Sequence, residues 1–207
     1  MLDLVSAVTD TADDAGATPS AQAWFACGER VGYDPKARAI VAAQDAPLKT
    51  FLKREGGVSH AVTFLPGYPD GSFGWAKVRP HLPNATEMPK LFVEYVGMGD
   101  SDKPTDYAYS TAERTDLVEA LWRDLSVQST TLVALDFSSL VVLEHLLRRL
   151  ERAERGQPVG GPAIRGVVIF NGGLFTDGHS HPWYSTPILH RLPKRAWRGL
   201  GRSFTLF

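Results

Sequence analysis

Short apolar runs alternate with amphipathic segments from His60 onward, and this alternation constrains the fold more than any other feature of the 207-residue sequence. The apolar runs predict four buried strands, at 61–65, 91–95, 130–135 and 166–170. The segments between them predict helices. That order is typical of an α/β fold with a mainly parallel sheet and helices on both faces. Ligand sites in such sheets lie where the strands end.

Three helices are predicted between these strands. A weak helix covers 72–82. Ser110 and Glu113 have the spacing of a capping box and open a second helix. The third helix is expected to present one apolar face. The residues of that face are Leu140, Leu143, Leu147 and Leu150.

The sequence ahead of His60 has a different composition. Residues 1–22 contain four Asp and neither Lys nor Arg, which predicts a flexible lead-in. Apolar runs at Trp24–Val31 and Leu48–Lys53 predict two short strands, spaced as antiparallel strands at the edge of a sheet are. The predicted globular core spans 23–175.

Composition excludes several classes of protein. A formal charge of -1, from 22 basic and 23 acidic residues, argues against a nucleic-acid binder. No apolar run approaches the roughly 20 residues that cross a bilayer. A single cysteine, Cys27, allows no internal disulfide, which favours a cytoplasmic location.

The clearest chemical pattern is Ala134-Leu135-Asp136-Phe137-Ser138-Ser139, where the third strand meets its helix. A sharp strand-to-helix turn exposes its central side chain and requires small neighbours where the two backbones approach. Ala134, Ser138 and Ser139 meet that requirement. The helix amino terminus would favour the Asp136 carboxylate as an anion. A plain helix cap is the alternative interpretation.

Two other strand ends carry turns. Pro66-Gly67-Tyr68-Pro69 follows the first strand and can aim the Tyr68 N–H toward the site. Residues 97–104, GMGDSDKP, follow the second strand and are interpreted as scaffold, with Asp and Ser side chains bonding nearby backbone groups.

Together these three stretches resemble the α/β-hydrolase superfamily, and more narrowly its epoxide hydrolase and haloalkane dehalogenase group. Asn171-Gly172-Gly173-Leu174-Phe175, with His179 and the segment 187–192, resemble the mesoderm-specific transcript proteins and their bacterial relatives. The resemblance covers roughly 24–207. It implies that 176–207 is the start of a cap domain, and that the last strands, the catalytic acid and the catalytic histidine would lie beyond Phe207.

The resemblance also implies a mechanism. Asp136 would be the nucleophile of a hydrolase and form a covalent ester with a small epoxide, alkyl halide or related substrate. The N–H groups of Tyr68 and Phe137 would form the oxyanion hole. No organic cofactor and no metal are needed. Pro66 and Leu135 stand where the family usually has histidine.

The base that activates water is not evident, so alternatives stay open. His179, Asp177 and Asn171 are further site candidates, whereas His145 is expected to be solvated on its helix. The pair His179 and His181 lacks a third ligand for a metal. The chain could also be a catalytically incomplete relative that acts as a binding or scaffolding protein. It could equally be half of a split enzyme whose partner chain supplies the rest.

The carboxyl-terminal stretch 191–204 alternates Arg and Lys with Trp, Leu and Phe. This pattern favours a cap helix whose apolar face covers the site. A basic amphipathic helix on a membrane surface is the alternative.

Overall fold

The computed structural model describes residues 17–172, and these form a seven-stranded sheet. The strands are Glu29–Asp34 (β1), Ala39–Val41 (β2), Leu48–Glu55 (β3), Val62–Leu65 (β4), Lys90–Val93 (β5), Ser129–Leu135 (β6) and Ala163–Phe170 (β7). Their order across the sheet is β2-β1-β3-β5-β4-β6-β7. Most of the lead-in, the last residues of the predicted core and all of the predicted cap lie outside the described residues.

The four strands predicted from His60 onward are confirmed, with small shifts at their ends. β5, β4, β6 and β7 pair in parallel in that spatial order. Their carboxyl ends therefore meet at one edge of the sheet. This edge holds the turn after Leu65, the turn after Val93, the turn after Leu135 and the residues after Phe170.

The prediction for the amino-terminal part is partly wrong. Leu48–Lys53 lies in β3, which pairs antiparallel with β1 as expected, whereas β2, antiparallel to β1 on its other side, was not predicted. Trp24–Val31 is not one strand, because Ala21–Ala26 form a short helix, α1, ahead of β1. Ser20, within the predicted lead-in, caps this helix by accepting the Ala23 N–H at 3.1 Å. The apolar pattern of this segment is compatible with a strand or a helix, and an amino-terminal cap of this kind favours the helix.

Successive strand residues point to opposite sides of the sheet, and in the central strands both sides carry buried residues. On one face Leu52, Leu65, Leu91 and Val93 belong to the larger core, which includes the two long helices. The other face has a smaller aromatic core. Its members are Trp24, Phe51, Phe64, Trp75, Ala76 and Phe92.

The predicted helix at 72–82 is wrong in its type. The chain forms two 3₁₀ segments instead, Ser72–Trp75 and Arg79–His81. Gly71 precedes the first segment with φ +72, and Pro80 is the second residue of the second segment. Proline removes a backbone donor, so the second segment does not continue the first as one α-helix.

The helix predicted at Ser110 is confirmed as Thr111–Asp124, α2. Its cap is the expected one, since the Ser110 hydroxyl accepts the Glu113 N–H at 3.2 Å. The reciprocal half of the capping box is not formed. Oε2 of Glu113 is buried and has no hydrogen-bond partner among the residues described.

The third helix is confirmed as Ser138–Glu154, α3, but its predicted apolar face is wrong. Leu147 and Leu150 are 51% and 56% exposed, and Leu140 and Leu143 are exposed as well. The face buried against the core carries Val141 and Val142 instead. Periodicity shows that a helix has an apolar stripe but does not show which stripe packs on the sheet.

No helix within residues 17–172 is both long enough and apolar enough to cross a membrane.

Candidate active site

Asp136 lies between β6 and α3 in a left-handed backbone conformation, with φ +51. The Asp136 N–H donates to the carbonyl of Phe170 at 2.9 Å, which ties the turn to the end of β7. Its carbonyl accepts the Ser139 N–H at 3.0 Å and the Ser139 hydroxyl at 2.7 Å. Positive φ is costly for a residue with a side chain, and such strain recurs at functional sites.

The residues around this turn are packed as tightly as the sequence pattern predicts. Ala134, Ser138 and Ser139 are all fully buried. Gly172 lies against Ser139, since a Cβ at Gly172 would come within 2.7 Å of the Ser139 Cβ. A larger residue at Ser139 would therefore separate the end of β7 from the start of α3.

The turn after β4 lies directly against Asp136. The Tyr68 N–H donates to Oδ2 of Asp136 at 3.1 Å. Gly67 makes this approach possible, because a Cβ there would be 3.1 Å from Leu135 Cγ and 3.3 Å from Asp136 Cβ. The Tyr68 side chain is 65% exposed, so its backbone is the part that contacts the carboxylate.

Phe137 has helical backbone angles and precedes the first residue of α3. Within the described part of the chain its N–H has no hydrogen-bond acceptor. The structure thus brings Asp136 and the Tyr68 N–H together and leaves the neighbouring Phe137 N–H available. The Tyr68 contact is what the predicted oxyanion hole requires of one donor, and the role of the Phe137 N–H stays a prediction.

A buried hydroxyl pair supports the two turns from below, and the sequence did not reveal it. The Ser138 hydroxyl donates to the carbonyl of Pro66 at 2.5 Å and lies 2.7 Å from the Tyr95 hydroxyl. Burial raises the pKa of Tyr95, and the bond to Ser138 and the nearby Arg114 oppose that effect. The sequence pattern requires only that Ser138 be small, so it does not predict the hydrogen bonds of the hydroxyl.

Arg114 of α2 also packs beneath the turn. Its guanidinium carbon lies 4.3 Å from the centre of the Phe137 ring and 5.5 Å from that of Tyr95. The residue is 8% exposed, and burial lowers the pKa of its guanidinium. Nothing in the sequence distinguishes this arginine from the other arginines on the helices.

The predicted scaffold turn at 97–104 wraps around the buried carboxylate of Glu94. Oε1 of Glu94 accepts the Ser72 N–H at 2.8 Å and the Ser72 hydroxyl at 2.7 Å. Oε2 accepts the Asp100 N–H at 2.7 Å. Burial raises the pKa of Glu94, and these three donors counteract the rise. The turn therefore serves as a support, separate from the Asp136 carboxylate.

Of the other predicted candidates, the structure describes Asn171 alone. Asn171 directly follows β7, is exposed and has φ +51. Asp177 and His179 lie outside the described residues, as do His181 and the basic stretch at 191–204. The prediction of a solvated His145 is wrong: it is 4% exposed, and its Nδ1 lies 2.8 Å from Oε1 of Glu119.

The other two described histidines lie away from this edge. His60 is next to the start of β4, and its Nδ1 lies 2.9 Å from the Ser129 hydroxyl at the start of β6. His81 lies in the second 3₁₀ segment, ahead of β5. Among residues 17–172, no cluster of three or more His, Cys, Asp or Glu could hold a metal ion.

Several known proteins are similar to this chain in sequence or in fold. No protein-family model matches the chain. The mesoderm-specific transcript homolog protein of Bos taurus is 32% identical over 125 residues, which is 59% of this chain and 36% of that protein. The putative hydrolase LipZ of Mycobacterium tuberculosis is 32% identical over 166 residues, 76% of this chain and 54% of LipZ.

The fold matches a solved hydrolase structure. The haloalkane dehalogenase DatA of Agrobacterium tumefaciens superposes with a TM-score of 0.51 at 21% identity, over 70% of this chain and 40% of DatA. The chain spans between about a third and about half of the length of the two curated relatives above. The order of its strands, the tight turn after β6 and these similarities all indicate the same fold. The described residues have the α/β-hydrolase fold, and the chain is similar in sequence to members of that superfamily.

Proposed function

We propose that this protein acts as a hydrolase in which Asp136 is the nucleophile, on a small epoxide, alkyl halide or related substrate. The observation that carries the proposal is the position of the Asp136 carboxylate. It sits on a left-handed turn at the end of β6, with one oxygen held by the Tyr68 N–H. The other oxygen, Oδ1, is then the one available to attack.

The proposed first step is a displacement at carbon. Oδ1 of Asp136 forms a bond to the electrophilic carbon while the carbon–halogen bond breaks and halide leaves. With an epoxide, the ring carbon–oxygen bond breaks and the resulting alkoxide takes a proton from water. Both routes give an ester of Asp136. Its carbonyl oxygen, Oδ2, remains beside the Tyr68 N–H.

The proposed second step hydrolyses that ester. Water, losing a proton to a base, adds to Cγ of Asp136, and negative charge develops on Oδ2. The N–H groups of Tyr68 and Phe137 would stabilise this charge. The alcohol then leaves with a proton, and one oxygen of the Asp136 carboxylate now comes from water. The base is left unassigned. Among the site candidates that the sequence offers, His179 could act as this base with Asp177 as its acid, whereas Asn171 is a neutral amide and could only orient a partner.

Covalent labelling tests the first step. The chain is incubated with an alkyl bromide or an epoxide, and its intact mass and peptide map are recorded. We expect one adduct on Asp136, lost in Asp136→Asn and retained in Asp45→Asn, an exposed control carboxylate. Absence of an adduct from the wild type, or labelling that survives Asp136→Asn, would refute Asp136 as the nucleophile.

Isotope incorporation tests the second step. With substrate in H₂¹⁸O, we expect ¹⁸O in the peptide that contains Asp136 after several turnovers, because water attacks Cγ. Incorporation into product alone during turnover would show direct attack of water on the substrate and contradict the ester mechanism.

The histidines within residues 17–172 favour a second candidate function, because none of them lies beside Asp136. His145 is bonded to Glu119, and His60 is bonded to Ser129 at the opposite strand ends. An ester that forms once and is not hydrolysed would then identify a binding or scaffolding relative, or half of a split enzyme. Labelling to one equivalent without ¹⁸O incorporation distinguishes this candidate from a complete hydrolase. For either function we propose a cytoplasmic location, which the single cysteine Cys27 favours.

A further inference from the structure

A charged groove lies between α2 and α3, away from Asp136. It encloses about 370 Å³ and is lined by charged side chains and one glutamine. Two of its arginines, Arg148 and Arg152, lie in the second half of α3. This helix begins at Ser138, two residues after Asp136. At about 1.5 Å per helical residue, Arg152 is roughly 20 Å along the helix from the turn. The groove is therefore a separate site.

Positive charge is in excess in this groove. Five arginines line it against three carboxylates. The arginines are Arg38, Arg123, Arg148, Arg152 and Arg155, and the carboxylates are Asp116, Glu119 and Glu151. An excess of two positive charges in one concave surface attracts anions, because the groove walls focus the field.

Three of the arginines are held by carboxylates. Arg148 bonds Asp116 at 2.6 Å and Glu144 at 2.8 Å, and Arg38 lies 3.2 Å from Asp116. Arg155 lies 3.3 Å from Glu151. Arg148 is the most constrained of the three, since its side chain is only 19% exposed. These ion pairs fix three of the side chains that line the groove.

Arg123 and Arg152 differ from the other three. Within residues 17–172 neither has a carboxylate within 4.0 Å; each donates only to a backbone carbonyl, of Arg38 at 3.3 Å and of Val159 at 3.2 Å. Both stand in the last turn of their helices, where the dipole favours a cation. The helix dipole explains why an arginine stands at the end of each helix. It does not explain why Arg123 and Arg152 both line the same groove.

From these observations we infer that the groove binds a small phosphate-type polyanion through Arg123 and Arg152. Guanidinium groups present paired N–H donors that match phosphate oxygens. No aromatic or aliphatic residue lines the groove, so it offers no surface for a base or an acyl chain. Its volume lies at the small end of the range for ligand sites. A diphosphate without a large apolar group fits this lining.

Calorimetry with inorganic pyrophosphate tests the inference on the full chain at low ionic strength. We expect binding to one site, and Arg123→Gln and Arg152→Gln each to weaken it about tenfold. Arg165→Gln removes the same charge from an exposed position on β7 and should leave affinity within about twofold. Glu151→Gln should tighten binding, because it removes a competing carboxylate from the groove.

Several results would overturn the inference. One is the absence of binding at about 10 mM pyrophosphate, where even a weak site would be filled. Another is an equal loss in Arg165→Gln, which would show attraction to overall charge. Unchanged or weaker binding in Glu151→Gln would also contradict it. Thermal unfolding of each variant checks that the fold is kept, and none of these outcomes depends on the reactivity of Asp136.

Discussion

The backbone N–H of Tyr68 lies 3.1 Å from Oδ2 of Asp136, which joins the turn after β4 to the turn after β6. These strands are neighbours and parallel, so their carboxyl ends are adjacent although the two residues are far apart in sequence. The contact uses the backbone of Tyr68, because the side chain points largely into solvent. A backbone N–H can bind a carboxylate oxygen regardless of which side chain residue 68 carries, proline excepted.

The backbone donor gives a first prediction. We expect Tyr68→Pro to slow hydrolysis of the Asp136 ester by about 100-fold, because proline has no N–H to stabilise the charge that develops on Oδ2 in that step. Tyr68→Ala, the matched control, keeps the N–H and should stay within about threefold of the wild type. The measurement is the rate at which the preformed adduct is lost, followed by intact mass. Equal rates in the two variants would show that the N–H does not assist the reaction.

The turn around Glu94 gives a second prediction, on stability. Gly99 and Gly156 both have positive φ, +47 and +65, but only Gly99 is crowded. A Cβ at Gly99 would be 2.0 Å from Oε1 of Glu94, whereas nothing lies within 4 Å of one at Gly156. We expect Gly99→Ala to lower the free energy of unfolding by about 3 kcal/mol or more. Gly156→Ala should lower it by about 1 kcal/mol. Denaturant unfolding measures both, and similar losses would contradict the crowding.

The two sides of α3 give a third prediction. Val142 is 1% exposed and Leu147 is 51% exposed. Val142→Ala should lower the free energy of unfolding by about 2 kcal/mol, because it leaves a cavity against the core. Leu147→Ala should change it by less than about 0.5 kcal/mol. If urea unfolding gives Leu147→Ala the larger loss, the leucine stripe is buried in solution.

Glu113 gives a fourth prediction, on pH. Burial raises the pKa of its carboxyl above the usual value near 4.5, and Oε2 has no partner among the described residues. A raised pKa in the folded state means that folding favours the protonated form. The contribution of Glu113 is therefore fully present below the unfolded pKa and is lost as pH rises through the folded pKa.

The replacement Glu113→Gln keeps the shape and removes the titration. We expect the variant to match the wild type near pH 4 and to have the higher free energy of unfolding at pH 8. Urea unfolding at the two pH values measures the difference. Glu87→Gln, at an exposed carboxylate, is the control and should follow the wild type at both pH values. A variant that loses stability at pH 8 would mean that the ionised carboxylate stabilises the fold.

Local pattern was sufficient for most of the elements. The strands at 130–135 and 166–170 and the helix that starts after Ser110 are correct, because apolar periodicity and a side-chain cap act over a few residues. The pattern failed at Trp24, where a short apolar run suits a strand or a helix equally well. There the Ser20 cap and the packing of Trp24 on Phe92, with ring centres 5.0 Å apart, accompany the helix.

Burial was harder to predict than secondary structure. His145 was expected in solvent, but it lies against the Trp122 ring and bonds Glu119, both on α2. The leucines of α3 were expected to pack, but they are exposed. Which side of a helix is buried depends on its rotation relative to neighbours that are distant in sequence, and a periodic pattern does not contain that rotation.

The sequence by itself determined the α/β class, the parallel strands and the place of Asp136 between small residues, because each depends on short-range pattern and steric demand. Only the tertiary structure decided that the Tyr68 N–H meets the Asp136 carboxylate, that Ser138 links Pro66 to Tyr95, and that Arg114 packs under Phe137. These contacts join segments tens of residues apart. Their geometry is set by the order and register of the strands, which the chain acquires only when the sheet forms.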